Sequence, residues 1–252
     1  MKLLVAVPSK GRASLLHKNT YRWLSLTNTD WKYFIEPQEF DKYDISIDHK
    51  VALPENNKGL GYSLNFIKQY ALEHGYTHVF KVDDDVISWN GKTRRRDKLN
   101  SHTNFEQIIT DCEEMLAKHP EIKAVGFPYR WEMWKYVKWA GINKRLQSCY
   151  LIQTDCWWAN PDILNFEDFA EYLHLRVNNH IVARYGYCAM DTVDVGTNKG
   201  GAQSFARSMK SALITLGIMQ QIYPALRIKK VKKPWGYEPN LTGGIFANRQ
   251  KI

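Results

Sequence analysis

The chain has 252 residues, 44% of them hydrophobic and 13% aromatic, which supplies a core for one large domain or two small ones and excludes disorder throughout. Its formal net charge of +9 suits a polyanionic partner, although basic loops also serve solubility. The longest uninterrupted apolar run, Leu3 to Val7, is far short of the ~20 residues that cross a bilayer, and no charged-then-apolar leader opens the chain, so a cytoplasmic location with no membrane partner is expected.

Lys2 to Val7 reads as a short strand that breaks at Pro8-Ser9-Lys10-Gly11-Arg12, ahead of a helical stretch with Leu15, Leu16, Tyr21, Trp23 and Leu24. Ser9, Lys10 and Arg12 bring a hydroxyl and two cations beside an expected helix N-terminus. That setting suits a nucleotide, and a plain surface turn would use the same Pro, Ser and Gly. Asn57-Lys58-Gly59-Leu60-Gly61-Tyr62-Ser63-Leu64-Asn65 leads into an amphipathic helix with Leu64, Ile67, Tyr70 and Ala71 on one face and Gly75 at its C′ position. A second strand, Thr77 to Val82, ends in Asp83-Asp84-Asp85 and opens a loop. Three carboxylates in a row repel one another unless a cation sits among them. Mg2+ or Mn2+ bridging them to a diphosphate is one reading, and a solvated acidic turn is the other. Ligands of open α/β sheets collect at the carboxyl ends of strands, where these segments fall.

Lys92, Arg94, Arg95, Arg96 and Lys98 crowd the next segment, and Arg227, Lys229, Lys230, Lys232 and Lys233 crowd another near the C-terminus. A phosphate backbone binds such clusters through counterion release, so a DNA-length acceptor would account for both. Thr103-Asn104-Phe105-Glu106 is a capping-box start for a scaffold helix carrying Phe105, Ile108, Ile109, Cys112 and Leu116 up to Pro120. Ile122 to Phe127 and Ser148 to Ile152 read as strands. Between them, Tyr129 to Tyr136, with Trp131 and Trp134, is too aromatic and charged for a plain linker, and packing under the sheet is one use for it. Trp89, Trp139, Trp157, Trp158 and Trp235 add stacking capacity, with most tryptophans expected in the core. Cys112, Cys149, Cys156 and Cys188 form no CxxC pair and are expected as reduced thiols.

Phe166-Glu167-Asp168 precedes an amphipathic run, Phe169, Tyr172, Leu173 and Val177. Its carboxylates serve either the helix macrodipole or a general base, with Asp191 and Asp194 as lesser candidates. Asn198-Lys199-Gly200-Gly201 is either a phosphate-contacting loop, with Lys199 as its cation, or a simple turn. No GxxxxGK[ST] occurs, which excludes a P-loop, and Gly59-Leu60-Gly61 lacks the third glycine of a dinucleotide fingerprint.

The segments PSKGRA, NKGxGxxxN and VDDDV together resemble GT-A glycosyltransferases, and within them the TET-associated glycosyltransferases of bacteriophages, over roughly residues 1 to 215. The resemblance implies an α/β GT-A fold, a Rossmann-like mixed sheet flanked by helices. It implies a single domain over 1–220, with a nucleotide-sugar half at 1–89, an acceptor half at 90–220 and a basic C-terminal tail at 221–252. It further implies a UDP-sugar donor held by Pro8, Ser9, Arg12, Asn65 and Asp84, and Mn2+ or Mg2+ on Asp85, with Asp83 at the ribose or a metal-bound water. Asp168 is the first choice of base and Glu167 the second. The implied acceptor is the hydroxymethyl group of a 5-hydroxymethylcytosine-like base in phage DNA, with the stretch holding Trp131 and Trp134 as a candidate acceptor wall; the charge argument adds Arg94, Arg95, Arg96, Lys199, Lys230, Lys232 and Lys233 as its phosphate contacts. A glycosyltransferase with a carbohydrate, lipid or protein acceptor is the main rival and would not need the basic clusters. A sugar-nucleotide nucleotidyltransferase would share the frame and the metal.

Overall fold

The computed structural model describes residues 1–91, 101–135, 139–142, 145–193, 208–233 and 235–240. The strands are β1 (Leu3–Ser9), β2 (Trp31–Ile35), β3 (Lys50–Ala52), β4 (His78–Lys81), β5 (Val86–Gly91), β6 (Ile122–Gly126), β7 (Trp139–Ile142), β8 (Tyr150–Gln153), β9 (Ile181–Tyr185), β10 (Cys188–Thr192), β11 (Arg227–Lys230) and β12 (Tyr237–Asn240). The helices are α1 (Thr20–Leu24), α2 (Leu60–Glu73), α3 (Ser101–Lys118), α4 (Glu167–Val177) and α5 (Met209–Ile222).

Eight strands form one sheet in the order β3-β2-β1-β4-β8-β6-β9-β7. Parallel pairing joins β3, β2, β1 and β4, and again β6 and β9, while β8 and β7 run against their neighbours. The sheet is therefore mixed and the fold α/β, as the resemblance implied. Along β1 the side chains alternate between two cores: Leu3, Val5 and Val7 enter one, Leu4 and Ala6 the other. A strand covered on both faces reads as a continuous apolar run, which is how LLVAV appears in the sequence. α1 and α3 cover the first face through Trp23, Leu24, Phe105, Ile108 and Cys112, and α2 and α4 cover the second through Leu64, Ile67, Ala71, Tyr172 and Leu175. The opposite side of α4, with Ala170 and Leu173, packs on Leu216 and Met219 of α5 in a third core.

Several local expectations shift. β1 runs on through Pro8 and Ser9, which pair with Phe34 and Ile35, before a 3-10 turn at Ala13–Lys18. α3 spans Ser101–Lys118, so Thr103 lies within the helix and not at its start. The acidic motif does not open a loop: the chain turns at Asp84 and Asp85 and re-enters a strand, β5, which pairs antiparallel with the distant β10. Gly75 has φ +69° just beyond the C-cap of α2, as its expected C′ role requires. The segment expected as a basic tail is, over 227–240, a two-stranded antiparallel ribbon. No helix among the described residues is long and apolar enough to cross a membrane.

Candidate active site

A cavity of about 310 Å3 opens at the carboxyl ends of the parallel strands, within the ~300–1,000 Å3 common for small-molecule sites. Its walls come from Pro8 and Ser9 at the end of β1 with Lys10 and Arg12 after it, Glu36 and Leu53 after β2 and β3, the start of α2, the acidic turn after β4, and the start of α4. α2 and α4 both begin here without a side-chain cap, from Gly59 at φ +90° and Phe166 at φ +59°. The uncapped start of α2, with no acidic residue in its first turn, carries a partial positive charge that suits an anion such as a diphosphate, whereas the first turn of α4 is already met by the carboxylates of Glu167 and Asp168.

The turn after β1 is built from polar contacts. Glu39 accepts from the Gly11 N–H at 2.7 and 2.9 Å, and the Tyr43 hydroxyl accepts from the Arg12 N–H at 3.2 Å while sharing a 2.7 Å hydrogen bond with Ser9 Oγ. Alongside it, Lys10 Nζ donates to Glu36 at 2.8 Å and to Asn57 Oδ1 at 2.7 Å, which joins the NKG segment to the end of β2.

The acidic turn is held by its own cations. Lys81, buried at the end of β4, donates to Asp83 and, at 2.7 Å, to the Ser148 carbonyl. Burial works against the Lys81 charge, yet Asp83 and then Glu167 outweigh it and keep it above the ordinary lysine range. Arg12 pairs with Asp84 and, at 3.0 Å, with Asp85, and Ser9 Oγ also donates to Asp84. Thr20 Oγ1 donates to the Asp83 carbonyl at 2.6 Å and accepts from the Val86 N–H at 3.1 Å, which clamps the turn to α1. Three carboxylates against two cations leave one negative charge. Asp84, with 7% of its side chain exposed, is spent on Arg12 and Ser9, whereas Asp83 at 29% and Asp85 at 20% remain available to a ligand. Burial, then repulsion from Asp83 and Asp84, pushes the Asp85 carboxyl up to about 7 despite Arg12. Among the described residues no group of three or more His, Cys, Asp or Glu is disposed to hold a metal ion.

Glu167 and Asp168 face the same cavity from the first turn of α4. Burial and the neighbouring Asp168 raise Glu167 to about 7, against the pull of Lys81. Asp168 is raised by burial and lowered by Arg145, whose Nε lies 3.6 Å away and whose guanidinium sits 4.1 Å over the Phe169 ring. Tyr129 lines the cavity with its hydroxyl 2.6 Å from Ser148 Oγ. Trp131, 63% exposed, stacks on the Tyr129 ring at 4.4 Å.

Of the residues singled out in the sequence, Pro8, Ser9, Arg12, Asp83, Asp84, Asp85, Glu167 and Asp168 meet in this one cavity. Asn65 is not in its wall, because one helical turn carries it past the mouth, and Gly59, Leu60 and Ser63 stand there instead. Asp191 pairs with Arg130 at 2.9 Å. Trp89 and Trp157 are core residues. Lys232 and Lys233 are exposed, and Lys230 is an exposed residue of β11. Arg94, Arg95, Arg96, Asp194 and Lys199 lie outside the described residues, as does the side chain of Trp134. Trp235, one of the tryptophans with expected stacking capacity, also lines the cavity. Sequence reasoning missed a role for Lys81, hidden in an apolar run.

The family model described as TET-associated glycosyltransferase matches residues 3–201. No curated protein matches the sequence. Among solved structures, a CMP-2-keto-3-deoxy-manno-octonic acid synthetase complexed with CTP is 8% identical with a TM-score of 0.47, covering 77% of this chain and 93% of that one. A putative nucleotide-diphospho-sugar transferase from Desulfovibrio desulfuricans is 14% identical with a TM-score of 0.44, covering 87% and 97%. A mutant beta-1,4-galactosyltransferase 7 from Drosophila, complexed with manganese, UDP-Gal and xylobiose, is 10% identical with a TM-score of 0.37, covering 81% and 68%.

Proposed function

The chain belongs to the TET-associated glycosyltransferase family, a nucleotide-sugar glycosyltransferase, and from that premise we propose that it moves a sugar from a UDP-sugar to the hydroxymethyl group of a modified pyrimidine in DNA, with the help of Mn2+ or Mg2+. The observation that carries this reading is the meeting, in one cavity, of the acidic turn after β4 and the carboxylate pair that starts α4. One end suits a diphosphate and its metal, and the other suits an acceptor hydroxyl.

The donor set fits a hard divalent ion. Asp83 and Asp85 present carboxylate oxygens to the cavity, Asp84 is held back by Arg12, and among the described residues no further carboxylate closes the shell. Mg2+ and Mn2+ sites of this kind use one or two protein carboxylates and fill the remaining positions with water and phosphate oxygens. When bound, the ion supplies positive charge to the leaving diphosphate. The chain's own groups do the rest. Arg12 and Ser9 fix the acidic turn, Lys81 holds Asp83, and the uncapped start of α2 adds positive potential. The acceptor oxygen attacks the anomeric carbon, the bond from that carbon to the nucleoside diphosphate breaks, and the acceptor proton passes to a carboxylate. Asp168 is that base in our reading, with Arg145 setting its orientation and Glu167 beside it. A base on the face opposite the leaving group makes the reaction inverting.

The acceptor half of the reading rests on charge and aromatic surface. Trp131 on Tyr129 offers a stacking plate beside the cavity, and the basic residues of 227–233, with Arg94, Arg95, Arg96 and Lys199, offer phosphate contacts. Incubating the protein with hydroxymethylated and with plain DNA, each with a panel of nucleotide-sugars, and weighing the released nucleosides tests the whole reading. A mass gain of one sugar confined to the hydroxymethylated base is the expected result. No gain with any donor would overturn it.

A further inference from the structure

Residues 208–240 lie beyond the segment that the family model matches, yet one of them, Trp235, lines the cavity. α5 is tied to the loop that leads into the carboxylate pair: Thr215 Oγ1 accepts from the Leu164 N–H at 3.3 Å, and Ser211 Oγ accepts from Asn165 Nδ2 at 3.0 Å. The ribbon of β11 and β12 packs its Ile228 and Tyr237 on the same core. Its turn is closed by the Val231 N–H on the Gly236 carbonyl and the Gly236 N–H on the Lys233 carbonyl, both at 2.9 Å, with Gly236 at φ +70°. This turn delivers Trp235 to the cavity wall. The indole N–H donates to Glu238 of β12 at 3.3 Å, so the plane of the ring is set by the ribbon itself. Lys232 and Lys233 stand exposed beside it, with Lys233 Nζ 5.9 Å from the ring centroid.

An indole in the cavity wall flanked by exposed lysines matches a ligand with a planar ring at the reaction site and phosphates leading away from it. The donor is a poorer match, because its diphosphate is met at the uncapped start of α2 and at the acidic turn, while these lysines face solvent. We infer that the ribbon tip, Trp235 with Lys232 and Lys233, is an acceptor clamp that stacks on an unpaired nucleobase and holds the adjoining backbone phosphates of a single-stranded or locally opened polynucleotide. This rests on the DNA reading above and adds to it a requirement that the target base leave the duplex stack.

The test measures binding of a fluorescent single-stranded oligonucleotide carrying hydroxymethylcytosine, alongside the affinity for UDP, in the full-length protein and in Trp235→Ala, Trp235→Phe and the pair Lys232→Gln with Lys233→Gln. Thermal melting confirms that each variant is folded. Trp235→Ala is expected to weaken the oligonucleotide about tenfold, the order of one lost base stack, with most of the loss restored by Phe. The lysine pair is expected to flatten the salt dependence by about one unit of slope or more. Unchanged oligonucleotide affinity in Trp235→Ala would remove the clamp and leave the DNA reading standing. Loss of UDP affinity with the oligonucleotide unaffected would assign the ring to the donor and also overturn the inference. A wild-type protein that binds no oligonucleotide would remove the DNA acceptor and the clamp together.

Discussion

Asp85 shares Arg12 with Asp84, and burial with two neighbouring carboxylates works against its charge, which makes its behaviour testable in two ways. Replacement by Ala should lower turnover by at least ~100-fold with excess divalent ion, the scale of several kcal/mol of lost transition-state stabilisation. Near-normal turnover of the variant, or of the wild type in excess chelator, would rule out a metal role. The second test uses pH. The Asp85 carboxyl is raised from 3.8 to about 7 in the folded protein, so its protonated form belongs to the fold. The stability it lends is full below 3.8 and is lost as pH rises through about 7. A divalent ion that replaces the proton offsets that loss, so Mn2+ should raise Tm more at pH 8 than at pH 5 in calorimetry. An equal shift at both pH values would contradict a site at this turn. Asp168→Asn should slow transfer by a factor of about 100 to 10,000 with little change in UDP affinity, as removal of a general base does. If Glu167→Gln does the damage instead, the base is its neighbour, and if neither matters the pair only serves the start of α4.

Within the elements, the NKGLG segment shows how a motif can have two causes. Gly59 has φ +90°, a left-handed conformation that a side chain would strain, and it leads α2 into the cavity wall. Gly61 serves packing: a Cβ there would lie 2.6 Å from the Asn160 carbonyl oxygen and closer still to that of Ile163. Both are backbone atoms and cannot swing aside. Gly61→Ala should therefore cost about 1–3 kcal/mol in urea unfolding, and it should lower kcat as well, because the displaced loop runs into Glu167 and Asp168. Gly217, inside α5 with open space for 4 Å around the point where a methyl group would project, is the control, and Gly217→Ala should stabilise by about 0.5–1 kcal/mol. The same contrast explains what is legible in the sequence. β1 and β4 declare themselves as short apolar runs, and α2, α3 and α4 through helical periodicity. β5 does not, because its partner β10 is remote in sequence and the pairing of Trp89 with Met190 leaves no local signal. The meeting of Ser9 and Arg12 with Asp84 depends on β1 lying beside β4 in the sheet. Strand order decides that, and no spacing along the chain encodes it. Lys81 is concealed because a lysine inside an apolar strand looks like an exposed interruption, whereas here Asp83 and the Ser148 carbonyl satisfy it in the interior.

At the scale of the whole molecule, the +9 charge is a property the cavity does not consume. Around the acidic turn Arg12 and Lys81 are already committed to carboxylates, so they add little to the field outside. The exposed residues of the C-terminal ribbon, Arg227, Lys229, Lys230, Lys232 and Lys233, present their charge to solvent, and within this group Lys229 is partnered only loosely, 3.8 Å from Glu238. A nucleotide-sugar is too small to use such a surface, and a polynucleotide is large enough. Neutralising this cluster, or the one at Lys92 to Lys98, should then weaken DNA binding for all sequences alike and flatten its salt dependence by about one unit of slope for each phosphate that is no longer neutralised. Donor affinity should change much less than DNA affinity. On the proposed acceptor, a base inside a duplex must leave the stack to react, so mismatched or single-stranded sites should react at least as readily as paired ones. Transfer to a free hydroxymethylated nucleoside at the rate seen with DNA, unaffected by the charge changes, would instead mean that the basic surface serves solubility and that the acceptor is a small molecule or glycan.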